Sequence, residues 1–223
     1  MESYHNILFD LDGTLTDPAL GITGGVLYAL EQAGIQEEDR EKLCAFIGPP
    51  LMESFHKYYG FTAEQSEKAA ECFREYYERQ GKLENEVYEG IHELLHRLKS
   101  EGRVLAVATS KGEEFAMDIL EHFKLKTYFD YVVGQEVDGL TIKKSLIVGQ
   151  ILKKGQITDL AHTVLVGDRA QDMIAAAESG IHSIGVLYGY GSREELEQAG
   201  AEKTAASIKE LERLLLKKER ENE

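Results

Sequence analysis

Two carboxylates, Asp10 and Asp12, close an apolar run in the segment Ile7-Leu8-Phe9-Asp10-Leu11-Asp12-Gly13-Thr14-Leu15-Thr16-Asp17. Ile7 to Phe9 read as a strand buried on both faces. Asp10 then falls at the carboxyl end of that strand, the edge where open α/β sheets place their ligands. Acids this close repel unless a cation lies between them. A divalent metal carrying a phosphoryl group supplies that cation and gives each acid a role: one attacks or binds metal, the other moves protons. Asp-Gly alone is also a common turn. A calcium loop fits poorly, because the twelfth position counted from Asp10 is Gly21, where that loop needs a bidentate Glu.

Three further segments hold residues suited to the same chemistry. Val104 to Ala108 runs into Thr109-Ser110, a hydroxyl pair that the pattern places at the opening of a helix, where backbone N–H groups favour an oxyanion. Thr109 taken alone is more often a helix cap than a ligand. Thr163 to Val166 runs into Gly167-Asp168-Arg169-Ala170-Gln171-Asp172. A helix that starts between Asp168 and Asp172 turns both acids toward one cleft, although acids at a helix start also suit its dipole. Lys143-Lys144, after an Asp138-Gly139 turn, opens a helix against the dipole preference, which favours a phosphate-binding role.

The elements that must position these residues follow from periodicity. Asp17 to about Gln80 is helical throughout, with Val26, Leu27 and Leu30 on one apolar face and Ala69, Cys72, Phe73, Tyr76 and Tyr77 on another, and no strand is expected there. Gly48-Pro49-Pro50 breaks this block. From Gly90 onward helices (90–100, 113–123, 144–153, 170–179) alternate with strands (104–108, 131–133, 163–166, 182–186), the pattern of a parallel sheet. The expected fold is therefore a doubly wound, Rossmann-like α/β core of residues 1–16 and 85–223, with an all-helical cap, residues 17–84, inserted after the first strand. Ile208, Leu211, Leu214 and Leu215 mark a final packing helix.

Taken together, Phe-Asp-Leu-Asp-Gly-Thr-Leu-Thr-Asp, the strand ending at Thr109, a lysine at 144 and Val-Gly-Asp-Arg-Ala-Gln-Asp-Met resemble the four motifs of the haloacid dehalogenase-like hydrolase superfamily, in the family's order and over essentially the whole chain. The helical insert resembles the family's C1-type cap. With Phe-Ile-Gly-Pro-Pro-Leu at 46–51, the pattern is similar to phosphoglycolate phosphatase-like and 5'-nucleotidase-like members. The resemblance implies that Asp10 is the nucleophile, forming an aspartyl-phosphate, and that Asp12 is the proton carrier. It implies that Thr109 and Lys144, with Gly13 and Ser110, hold the phosphoryl group. It also implies magnesium on Asp10, Asp168 and the main-chain carbonyl of Asp12, with Asp172 behind them. Many members carry Lys-Pro at the third motif, whereas this chain reads Lys143-Lys144-Ser145. The helix register set by Ile147, Val148, Ile151 and Leu152 and the lysine-only members favour Lys144, and Lys143 stands as the alternative.

The resemblance implies a phosphatase acting on a small phosphomonoester, phosphoglycolate-like first, then a nucleoside monophosphate, then a pyrophosphatase or sugar-phosphate mutase. All these substrates present the same phosphoryl group to the core, and selectivity belongs to the cap, whose closure is expected to gate the site. A dehalogenase has no need of a second acid such as Asp12, and a non-catalytic descendant would carry a damaged motif.

His92-Glu93-Leu94-Leu95-His96 matches the zinc-protease pattern letter for letter. Ile91, Leu94, Leu95 and Leu98 claim the core face of that helix, however, and turn both histidines outward. Gly189-Tyr190-Gly191 lacks the third glycine of a dinucleotide fingerprint, since Glu194 takes its place, and reads as a loop beside the cleft. The formal charge of -15 argues against a nucleic-acid footprint and against binding an anionic membrane surface. The opening Met-Glu-Ser-Tyr-His-Asn has no signal-peptide character and no apolar run approaches a membrane span, so a cytoplasmic protein is expected. Cys44 and Cys72 read as reduced structural thiols. No pattern points to an oligomeric state.

Overall fold

The side chains of Ile7, Leu8 and Phe9 are all buried although successive ones point to opposite faces of their strand, so helices must cover both sides. The computed structural model describes residues 4–135 and 142–216. Asp138 and Gly139, read above as a turn, lie outside the described residues.

In chain order the elements are β1 (Asn6–Phe9), β2 (Thr16–Asp17), α1 (Ala19–Gln32), α2 (Arg40–Leu43), α3 (Leu51–Tyr59), α4 (Ala63–Arg79) and β3 (Glu86–Val87). There follow α5 (Ile91–Ser100), β4 (Val104–Gly112), α6 (Glu113–His122), β5 (Tyr131–Gln135) and α7 (Lys144–Lys154). The chain continues with β6 (Thr163–Gly167), α8 (Ala170–Ser179), β7 (His182–Val186), α9 (Arg193–Gln198), β8 (Lys203–Ala205) and α10 (Ile208–Leu215). Two compact units result, one ending at Leu15 and resuming at Val87, the other spanning Thr16–Glu86.

In the first unit six parallel strands lie in the order β5-β4-β1-β6-β7-β8. Ile7, Phe9, Leu105, Val107, Val164 and Val166 face a core built with α5, α6 and α10. Leu8, Ala106, Ala108 and Leu165 face a second core built with α7 and α8. This is the doubly wound parallel sheet expected from the sequence. Phe9 pairs with both Val107 and Val166, which brings the carboxyl ends of β1, β4 and β6 level. The strand order reverses about β1, the kind of switch point where such sheets open a crevice.

The second unit is helical, with Phe73 and Tyr77 stacked on α4 and a Thr62–Gln65 capping box at its start. The helical reading needs one correction, because Thr16–Asp17 and Glu86–Val87 form a two-stranded ribbon where the chain enters and leaves this unit. Strands of two residues are too short to leave a period in the sequence. Gly48-Pro49-Pro50 separates a 3-10 turn at Cys44–Phe46 from α3.

Candidate active site at the carboxyl edge of the sheet

Asp10 follows the last residue of β1, and its N–H donates to the Val166 carbonyl at 2.9 Å, so its backbone continues the ladder. Its carboxylate accepts from the Leu11 N–H at 2.8 Å and pairs with Lys144 Nζ at 2.9 Å. Asp12 lies in the turn that follows, where its Oδ2 pairs with Lys111 Nζ at 2.9 Å and its Oδ1 is buried without a hydrogen-bond partner. Burial raises the Asp12 carboxyl above its ordinary pKa, and Lys111 opposes the rise.

Asp168 follows β6. One carboxylate oxygen accepts from the Tyr190 N–H at 2.8 Å, and the other is buried without a partner. Burial first, then Asp10 and Asp172, push its pKa well above the carboxylate range. Asp172 reaches back from the first turn of α8, accepts from the Arg169 N–H at 3.0 Å and forms an ion pair with Lys144. Burial pulls the Lys144 ammonium pKa down, but Asp10 and Asp172 outweigh it and leave it raised. Asp10, Asp168 and Asp172 each bring a carboxylate oxygen within 4.8 Å of the others.

Of the two candidate lysines, Lys144 is in the cluster with its side chain 5% exposed, while Lys143 is 79% exposed and pairs with Glu178 at 3.9 Å. Asp172 belongs to the same cluster as Asp10 and Asp168, and Lys144 occupies it. Thr109 is buried and its hydroxyl accepts from the Lys111 N–H at 3.2 Å, whereas Ser110 is exposed. The structure corrects the setting of this pair. Strand β4 continues to Gly112 through an irregular register after Ala108, and α6 opens only at Glu113, so neither hydroxyl stands at a helix start. Glu113 and Glu114 are the residues that suit the helix dipole there.

Gly13 has φ +76°, and a Cβ there would lie 2.2 Å from Asp168 Oδ2. A side chain at Gly189 would lie 2.5 Å from the Asp168 Cβ and 2.3 Å from the Gly13 carbonyl. The glycine loop is thus the floor beneath Asp168, and Tyr188 ties it to the first turn by donating its hydroxyl to the Thr14 carbonyl at 3.0 Å. Sequence reasoning missed Lys111, and it placed the glycine loop beside the cleft without its contact with Asp168. Extending the β4 alternation past Ala108 would have put Thr109 and Lys111 on one side of the strand; nothing local signals that Tyr190 N–H meets Asp168.

His92 and His96 behave as the core face of α5 requires. Ile91, Leu94, Leu95 and Leu98 are buried, His92 packs edge-on to the Tyr128 ring, and neither histidine joins a ligand cluster among the described residues. No helix among them is long and apolar enough to cross a membrane. Cys44 and Cys72 are free thiols.

A parallel switch-point sheet with an acid cluster at its carboxyl edge is an arrangement suited to phosphoryl transfer. The haloacid dehalogenase-like hydrolase family model matches residues 7–186, and the chain belongs to that family, as a hydrolase of the phosphatase type. A 5'-nucleotidase of Pseudomonas aeruginosa is 43% identical over 193 residues, covering 86% of this chain and 87% of that one. A phosphoglycolate phosphatase of Vibrio parahaemolyticus is 26% identical, with 92% and 93% covered. The crystal structure of a predicted phosphatase from Clostridium acetobutylicum superposes with a TM-score of 0.90 at 45% identity, covering 96% of this chain and 99% of that one.

Proposed function

We propose that the chain is a magnesium-dependent phosphomonoesterase that works through an aspartyl-phosphate on Asp10. The observation that carries this reading is the buried charge at the end of β1. Four carboxylates, of Asp10, Asp12, Asp168 and Asp172, meet two ammonium groups, of Lys111 and Lys144. Two formal negative charges are left for a divalent cation to balance, and the unpartnered Asp168 Oδ1 is a ready donor. The carboxylates of Asp10 and Asp168 and the main-chain carbonyl of Asp12 are assigned to hold it. This all-oxygen set suits magnesium, which when bound neutralises and orients phosphoryl oxygens. Asp172 is assigned to stand behind, holding Lys144.

In the first half-reaction an Asp10 oxygen bonds to phosphorus while the bond from phosphorus to the leaving oxygen breaks, and Asp12 gives that oxygen its proton. In the second, the Asp12 carboxylate takes a proton from water, whose oxygen bonds to phosphorus as the bond to Asp10 breaks, releasing inorganic phosphate. A carboxyl raised by burial suits this proton shuttle. Thr109 and Lys144, with Gly13 and Ser110, are assigned the phosphoryl oxygens.

The relative named 5'-nucleotidase is far more similar than the one named phosphoglycolate phosphatase. Nucleoside 5'-monophosphates therefore rank ahead of phosphoglycolate, which reverses the order drawn from the motifs alone. Selection of the leaving group is assigned to the helical unit Thr16–Glu86 as a cap. The test is a screen of phosphomonoesters with magnesium, beside Asp10→Asn. Turnover of one nucleoside monophosphate that falls by about 10³-fold or more in the variant is expected; turnover unchanged in Asp10→Asn would sink the mechanism.

A further inference from the structure

At the opposite end of the same sheet, His5 immediately precedes β1 and His162 immediately precedes β6. Their backbones are joined, with the His5 N–H donating to the His162 carbonyl at 2.8 Å. The two imidazole rings stack with centroids 5.1 Å apart. His162 Nδ1 lies 2.9 and 2.8 Å from the two carboxylate oxygens of Asp159. A buried relay fixes the carboxylate's backbone: Asn6 Nδ2 donates to Thr163 Oγ1 at 3.0 Å, and Thr163 Oγ1 donates to the Asp159 carbonyl at 2.7 Å. His5, Asp159 and His162 each bring a ligand atom within 4.8 Å of the others.

We infer that His5, Asp159 and His162 form a surface site for one divalent transition-metal ion of the zinc, cobalt and nickel class. Two imidazoles and one carboxylate are donors for these ions, whereas magnesium prefers oxygen alone. Bonds of about 2.1 Å to a tetrahedral ion set neighbouring ligand atoms about 3.4 Å apart. The Asp159–His162 pair, at hydrogen-bond distance, need only open slightly to reach that spacing, and the exposed His5 ring closes the remaining gap by turning about its own torsions. The ion takes the place of the proton shared between His162 and Asp159, which leaves to solvent. Solvent completes the coordination, as in open zinc sites. Five strand positions, roughly 16 Å, separate His5 from Asp10, so this site is distinct from the acid cluster and does not depend on the function proposed for it.

The experiment is a cobalt(II) titration of the untagged full chain in excess magnesium, followed by visible absorption and calorimetry. His5→Gln, His162→Ala and Asp159→Asn are compared with His96→Ala, which removes an exposed histidine of α5 outside the cluster. The expected result is one cobalt ion per chain, weakened about tenfold or more by each of the first three changes and untouched by His96→Ala. Magnesium-supported turnover and the melting temperature should stay unchanged in all four. The inference is overturned if the wild-type chain takes up no cobalt, if His5→Gln and His162→Ala bind it as tightly as wild type, or if His96→Ala abolishes binding.

Discussion

Removing the Lys144 ammonium leaves the buried carboxylates of Asp10 and Asp172 facing each other without the cation that both touch. Breaking a buried pair from one side costs about 3–5 kcal/mol, because the remaining charge stays desolvated. Lys144→Met is therefore expected to lower unfolding stability by about that amount in urea titrations with chelator, and to lose nearly all turnover. Lys143→Ala is the matched control. Its side chain is largely in solvent and pairs with Glu178 at 3.9 Å, so stability and turnover should change little. Equal effects of the two substitutions would show that the wrong lysine has been assigned to the phosphoryl group.

At the scale of elements, the site depends on how closely three loops approach one another. The turn after β1 and the glycine loop after β7 both press against Asp168, at Gly13 and Gly189. Gly13→Ala would set a side chain on a backbone with φ +76° and drive it into the Asp168 carboxylate. Left-handed backbone at a non-glycine residue costs about 1–3 kcal/mol, and displacing a group assigned to the metal by an ångström costs turnover about 10²-fold. Steady-state kinetics over a magnesium series should therefore show both a fall in turnover and a higher magnesium requirement. Wild-type magnesium dependence in Gly13→Ala would contradict the contact. Most of this scale was legible beforehand: β1, β6, β7, α5 and α8 fall within a residue or two of where periodicity puts them. Strand β4 ran past its reading because Thr109, Ser110 and Lys111 interrupt the apolar run while the backbone stays extended.

For the whole molecule, the raised carboxyls set a pH dependence with a definite sign. Burial raises Asp12, Asp168 and Asp172 above their ordinary values. Between the unfolded value near about 4 and the raised folded values, the folded chain holds more protons than the unfolded one, so stability falls as pH rises through that window. A cation bound at the cluster favours the ionised forms and opposes the fall. Melting temperatures in chelator should drop from about pH 4 toward neutrality, and magnesium should flatten the slope. Asp168→Asn, which removes one buried charge, should melt higher than wild type in chelator at neutral pH. A wild-type melting curve that rises with pH in chelator would contradict this.

The sequence by itself determined the parallel sheet, the helical block between its first strand and the rest, and the four segments that carry the acids, the hydroxyl and the lysine. Those features are written in local periods and in residues adjacent along the chain, which is where strand and helix preferences act. Only the tertiary structure decided that Lys144 rather than Lys143 meets Asp10, that Lys111 meets Asp12, and that the Tyr190 N–H holds Asp168. It alone brought His5 against His162. These contacts join residues 22 to 157 positions apart, and they exist because β1 pairs in register with β4 on one side and β6 on the other. That register comes from burying both faces of the sheet at once, a condition set by the whole core and by no single segment of the chain.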